Sequence, residues 1–145
     1  MTPEVIVAEA RGWIGTPYVH QAACKGAGAD CLGLVIGLWH ALYGHAPGTV
    51  PAYTPDWSEA ARDEQLLTAA GRFLQQVKKE DARAGDVVVF RMREGAVAKH
   101  LGILATPLPD PTFIHAYSGH GVVESPLSAP WQRRIAAYFR FPERG

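Results

Sequence analysis

The chain has 145 residues with 14 basic and 14 acidic side chains, so its formal net charge is zero. That balance gives no basic field to hold nucleic acid, and no apolar run approaches the ~20 residues of a membrane span. Two cysteines do not make a disulfide scaffold, and a domain of this length buries roughly 68–70% of its unfolded surface without needing a metal or a cross-link.

The N-terminus, Met1-Thr2-Pro3-Glu4, has neither a basic head nor a long apolar core. No signal peptide is expected, and the chain reads as one made in the cytoplasm. Thr2 is a plausible N-cap, with Pro3 at the first helical position and Glu4 in the first turn. A helix to about Trp13 follows, then a turn over Gly15-Thr16-Pro17-Tyr18. Residues 19–30 read as a glycine- and alanine-rich loop. Asp30 is placed to cap a second helix from Cys31 to about Tyr43, closed by Gly44. That helix is apolar on nearly every face and should be buried. Gly33 and Gly37 share one of its faces and would let a sheet pack close against it.

Pro47, Pro51 and Pro55 mark an extended connection. Ser58 can cap a third helix reaching about Gln76, with Leu66, Ala70, Phe73, Leu74 and Val77 at helical spacing. The pattern then changes to strands at 86–92, 99–105, 112–117, 121–124 and 135–141, with a proline-rich turn over 106–111. Helices first and an antiparallel sheet second argue for an α+β domain over residues 1–145. Lys78, Lys79, Arg91, Arg93, Arg133 and Arg134 recur among acidic residues and read as a solvated mixed surface.

The stretch G-A-D-C-L-G-L-V (28–35) carries the most chemistry. A thiol at a helix N-terminus meets the positive end of the helix dipole and free N–H groups, both of which favour the reactive thiolate. The same N–H groups are placed to hold an oxyanion. Taken alone, Cys31 still reads first as a buried free cysteine. A cysteine nucleophile also needs a base, and the base an orienting group. His100 and His115 lie in two apolar strands joined by a tight turn, near opposite ends of one hairpin. Together they supply such a pair, although pleat counting leaves open whether they share a face. His20 sits in the loop before Cys31, where it could line a cleft. His40 should bond locally on the buried helix, and His45 and His120 fall in exposed turns.

A zinc site finds little support. Cys24 and Cys31 are seven residues apart, and no H-x-x-x-H or H-E-x-x-H pair exists. A Cys24–Cys31 disulfide does not suit a reducing compartment. G-A-G-A-D lacks the ending of a phosphate loop. No metal and no cofactor are expected.

The pieces W-I-G-T-P-Y (13–18), D-C-L-G-L-V (30–35), A-G-D-V-V-V-F (84–90), K-H-L-G-I-L (99–104) and F-I-H-A-Y (113–117) resemble those of NlpC-type cell-wall cysteine peptidases, a papain-like family. The resemblance covers nearly the whole chain. The longer pieces H-Q-A-A-C-K-G-A-G-A-D-C-L-G-L-V, P-A-Y-T-P-D-W, H-A-Y-S-G-H-G-V-V-E and Y-F-R-F-P look like the branch found in tails of phages and gene transfer agents.

The resemblance implies a helix carrying Cys31 packed on a five- to six-stranded antiparallel sheet that carries both histidines. It implies Cys31 as nucleophile, His100 as general base and His115 as the group that orients it. Tyr18 matches a tyrosine that helps bind the substrate carbonyl or oxyanion. Asp30 matches an acidic residue that shapes the nucleophile turn and in some members contacts a substrate amine. Leu32 stands where many members have serine, so the usual contact to a free substrate amine is expected to be lost. The implied activity is hydrolysis of stem-peptide or cross-link amides in peptidoglycan. Without an export address, the expected route to the wall is incorporation in the tail of a phage-like particle, beside hub or baseplate proteins. The rival expectations are a catalytically silent tail protein of the same fold and an amidase or acyltransferase on this scaffold.

Overall fold

A computed structural model describes residues 2–48, 53, 57 and 64–143. Helix α1 spans Pro3–Arg11, and the Thr2 hydroxyl accepts the Val5 N–H at 3.3 Å as its N-cap. The 19–30 stretch is more regular than a loop: Ala23–Cys24 (β1) and Gly28–Ala29 (β2) pair antiparallel as a small hairpin. Helix α2 spans Cys31–Tyr43, and its cap residue Gly44 adopts φ 80°. That left-handed conformation suits glycine and ends the helix where expected.

The two glycines of α2 do different work from the one their spacing suggested. A Cβ on Gly33 would lie 1.7 Å from the carbonyl oxygen of Ala22, and one on Gly37 would lie 2.2 Å from the Trp13 ring. They admit the 13–22 segment, not the sheet. This segment is also pinned at its start, because Gly15 N–H donates to the Val122 carbonyl at 3.0 Å and Val122 N–H to the Thr16 carbonyl at 2.9 Å. Tyr18 then bridges to Ala29 of β2.

Helix α3 spans Gln65–Phe73. Its expected cap, Ser58, lies outside the described residues. The helix stops short of Gln76 because Gln75–Val77 (β3) pair with Tyr138–Arg140. Strands β4 (Val87–Arg91), β5 (Ala98–Thr106), β6 (Thr112–Tyr117) and β7 (Gly121–Pro126) follow. A short helix α4 (Ala129–Gln132), which no local pattern announced, precedes β8 (Ile135–Arg140). The sheet has six strands in the order β3-β8-β4-β5-β6-β7, each antiparallel to its neighbours.

Alternation along the strands makes two apolar layers. Val87, Val89, Leu101, Ile103, Ile114 and Ala116 join Leu34 and Leu38 of α2 in the main core. Val88, Phe90 and Phe113 face the other side with Leu127, and Trp131 of α4 packs there. Asp86, 1% exposed, is paired at the edge of this core: Arg140 donates to both its oxygens, at 2.8 and 2.9 Å.

A Gly33→Ala substitution forces the Ala22 backbone or the helix to move, which is expected to cost about 1–3 kcal/mol. Urea unfolding of the two proteins checks this; an unchanged midpoint would contradict the close approach.

Candidate active site

The relevant side chains gather at one end of the sheet, where β4 and β6 finish and β5 begins. There the N-terminus of α2 meets the strands around a cleft of about 140 Å³, lined in part by Tyr18, His20, Cys31, Tyr53, His100 and Tyr117.

Cys31 is the first residue of α2, and its Sγ lies 4.0 Å from the Lys99 carbonyl oxygen. It is 5% exposed. Burial, with the Asp30 carboxylate adding to it, pushes the thiol up to about 12. Backbone N–H groups near Sγ, including those of Leu101 and Leu32, pull the other way and lose. The expected resting thiolate is therefore corrected: the helix terminus is present, but desolvation of a charged sulfur outweighs it.

His100 and His115 share a face. The β5–β6 register sets Ile103 opposite Ile114 and Leu104 opposite Phe113. Continued along the strands, it puts His115 across from Gly102 and His100 across from Tyr117. The histidines are thus diagonal neighbours, and His100 Nε2 lies 2.7 Å from His115 Nδ1. Gly102 makes room for this: a Cβ there would come within 3.1 Å of His115 Cβ and 2.9 Å of the Phe113 ring. His115 Nε2 in turn lies 2.9 Å from Ser125 Oγ on β7. The rings lie on the smaller core, with Trp131 5.6 Å from His100 and 5.4 Å from His115 between ring centres. Burial first, and each one's neighbouring histidine second, lowers His100 to about 3 and His115 to about 4, the second neighbour being His120. Both are neutral at pH 7.

Asp30 is 2% exposed and fully engaged. Its Oδ1 accepts the Gly33 N–H at 2.7 Å, and its Oδ2 accepts the Gln21 N–H at 2.7 Å and the Tyr53 hydroxyl at 2.5 Å. His20 Nδ1 stands 3.6 Å away. Gln21 takes φ 61° to deliver its N–H. Tyr18 is half-buried; burial, then the charges it would share with Cys31 and Asp30, raise its hydroxyl to about 12, so it stays a donor.

Tyr53 and Trp57 were not legible as site residues. Their rings stack at 4.2 Å and 6° and form one wall of the cleft. Ser125 was missed too, since only the β6–β7 register brings it under His115. His20 lines the cleft as expected and reaches the Tyr53 carbonyl at 3.1 Å. His40 is exposed, not buried, because it sits on the outer turn of α2. Leu32 is buried and turns away from the cleft into an apolar groove with Leu66 and Leu101. Cys24 is exposed on β1.

Fold and cleft together define an α+β domain in which a helix-borne cysteine and the strand-borne His100 line one cleft, with His115 bonded behind His100. The chain belongs to the NlpC/P60 family, whose model matches residues 15–140. It is 27% identical over 119 residues to a probable endopeptidase of Haemophilus influenzae, covering 82% of this chain and 62% of that protein. It is 26% identical over 126 residues to the probable endopeptidase NlpC of Escherichia coli, covering 86% of this chain and 69% of that one. Among solved structures, a Staphylococcus aureus lipoprotein-like protein of the NLP/P60 family superposes with TM-score 0.65 at 25% identity, covering 98% of this chain and 42% of that one. The NlpC/p60 domain of the peptidoglycan hydrolase SagA superposes with TM-score 0.64 at 21% identity over 97% of this chain and 100% of that domain, a likeness of fold.

The buried neutral histidines predict a pH dependence of stability. Their folded values lie below the unfolded value of about 6.5, so the unfolded chain binds more protons between about 6.5 and 4. Stability is therefore full above pH 6.5 and falls as the pH drops, on the order of 1–2 kcal/mol per histidine by pH 5. Urea titrations at pH 7 and pH 5 check this. His115→Gln should show the smaller loss between the two pH values; equal losses would contradict the burial of neutral rings.

Proposed function

We propose that this chain is a cysteine peptidase that hydrolyses amide bonds in the peptide part of bacterial peptidoglycan, with residues 1–145 as one catalytic domain. The observation that carries the reading is the line His100–His115–Ser125, whose His100 end lines the same cleft as Cys31. Membership of the NlpC/P60 family and the endopeptidase names of its relatives support the substrate class.

The histidine line has two proton arrangements. In the productive one, His100 Nε2–H donates to His115 Nδ1, and His115 Nε2–H donates to Ser125 Oγ. The free lone pair of His100 is then on Nδ1, able to take the Cys31 proton. The resting pair is neutral thiol and neutral imidazole. With substrate in place, the thiol proton passes to His100 Nδ1 as Sγ attacks the amide carbonyl. The carbonyl oxygen becomes an oxyanion, held by the Tyr18 hydroxyl and the N–H groups at the start of α2. His100 then protonates the departing amine, leaving a thioester on Cys31. Water, deprotonated by His100, releases the acid and restores the thiol. Asp30 serves as the organiser of this turn, because its oxygens are already taken by Gly33, Gln21 and Tyr53.

The finer setting is a tail component of a phage-like particle or gene transfer agent that opens the wall locally. Its support is the resemblance of the longer sequence pieces around Cys31, Tyr53 and His115. Detection of the chain in purified particles tests it, and recovery only as free protein would contradict it.

Digestion of purified peptidoglycan followed by mass spectrometry tests the activity. A new free amine on the diamino acid is expected; release of whole stem peptides from the sugar would instead make the enzyme an amidase. Cys31→Ala should lower the rate by at least about 10³-fold. Ser125→Ala should lower kcat about 2- to 10-fold, the worth of one hydrogen bond, with little change in KM, while Ser125→Thr keeps the hydroxyl and most of the rate. Equal kcat in all three Ser125 forms would remove Ser125 from the line.

A further inference from the structure

The loop between β4 and β5 separates two concavities. Met92, Lys99 and His100 line the cleft over Cys31. On the other side, Arg91, Arg93, Glu94, Arg133 and Arg134 line a second cleft of about 660 Å³. Helix α4 is also shared between them. Its Trp131 packs against His100 and Tyr117, while its Pro130 and the two arginines that follow it border the second cleft.

This arrangement gathers four of the arginines of the mixed surface, Arg91, Arg93, Arg133 and Arg134, around one cavity. Far apart in sequence, they converge because β4 and β8 are neighbours and Arg91 N–H donates to the Arg134 carbonyl at 2.7 Å. Arg91 is committed to the wall: its guanidinium pairs with Glu64 and donates to the Ala96 carbonyl at 2.9 Å. Arg133 and Arg134 are exposed, and no ion pair or side-chain hydrogen bond holds either among the described residues. Glu94 is the single carboxylate among the described lining residues. With Arg91 paired to Glu64, Arg133 and Arg134 alone outnumber Glu94 among the described lining residues.

Guanidinium forks match carboxylates in two parallel hydrogen bonds. This chain already uses such forks internally, Arg11 on Glu124 and Arg140 on Asp86. We propose that the arginine cleft is an accessory site for free carboxylates of the same peptide polymer whose amide lies over Cys31. Arg133 and Arg134 supply the forks, and the polymer crosses the β4–β5 loop. The proposal rests on the peptidase reading for its choice of ligand.

Binding is the primary test, measured calorimetrically with Cys31→Ala protein so that nothing turns over. The probes are an acidic wall tetrapeptide and the same peptide with its carboxylates amidated. Adding Arg133→Gln and Arg134→Gln should weaken the acidic peptide about tenfold or more and leave the amidated one unchanged. Affinity for the acidic peptide should also fall with added salt. In the active protein the same two changes should raise KM for the acidic peptide at constant kcat. Equal affinities with and without the arginines would overturn the proposal. So would inorganic phosphate that binds in an arginine-dependent way without competing with the acidic peptide. Arginine-dependent binding of the acidic peptide by a protein that never hydrolyses it would uphold this site and refute the peptidase reading.

Discussion

Everything at the cleft end of the molecule hangs on the Asp30 carboxylate. One oxygen caps α2 through the Gly33 N–H, which fixes where the helix begins and so where Cys31 stands. The other holds the Gln21 N–H and the Tyr53 hydroxyl, tying the 13–22 segment and the Tyr53–Trp57 wall to the same point. A carboxylate this buried is tolerable only because it is surrounded by donors. The absence of a side chain at Gly33 is part of the same arrangement, since the Ala22 carbonyl occupies that space. Position 30 thus shapes the turn, which leaves little of its acidity to meet a substrate.

The second consequence of this packing is electrical. The thiol is pushed toward its neutral form and the histidines toward theirs, all mainly by burial. A neutral thiol is a weaker nucleophile toward stray electrophiles than a thiolate. On the proposed mechanism, charge separation is tied to the moment a carbonyl is present to accept electrons from sulfur. On the same mechanism, the hydrogen-bond line through His115 to Ser125 would take up part of the charge of a protonated His100. Gly102 makes that line possible by leaving His115 room on the strand. Leu32 fits the same scheme as a core residue, packed toward Leu66 and Leu101 and outside the cleft.

Local signals carried much of the fold. Thr2, Asp30 and Gly44 mark helix ends by their own chemistry, apolar runs mark β4, β5 and β6, and alternation marks β8. Elements created by a partner stayed hidden. Gln75–Val77 is polar and becomes a strand only by pairing with β8. Helix α4 is four residues long and has no periodicity to read. The site divides in the same way. Cys31 and the two histidines announce themselves by residue type within apolar runs. Their spatial relation depends on register across a turn of unknown shape, and Ser125 depends on a further strand pairing. The state of the thiol is not legible in the sequence, because the helix terminus is a local feature, whereas desolvation sums over the whole fold. The arginine cleft escaped for a related reason, since its members come from β4, the loop after it and the segment before β8.

The central claim is that Cys31 forms the bond to substrate, and trapping that bond tests it most directly. The protein is mixed with a wall-derived peptide, quenched in acid within the first turnover, and mapped by mass spectrometry. The account predicts an acyl group on the peptide containing Cys31, removed by hydroxylamine as a thioester should be. Hydrolysis that proceeds with no adduct on Cys31, or that persists in Cys31→Ala protein, would contradict it.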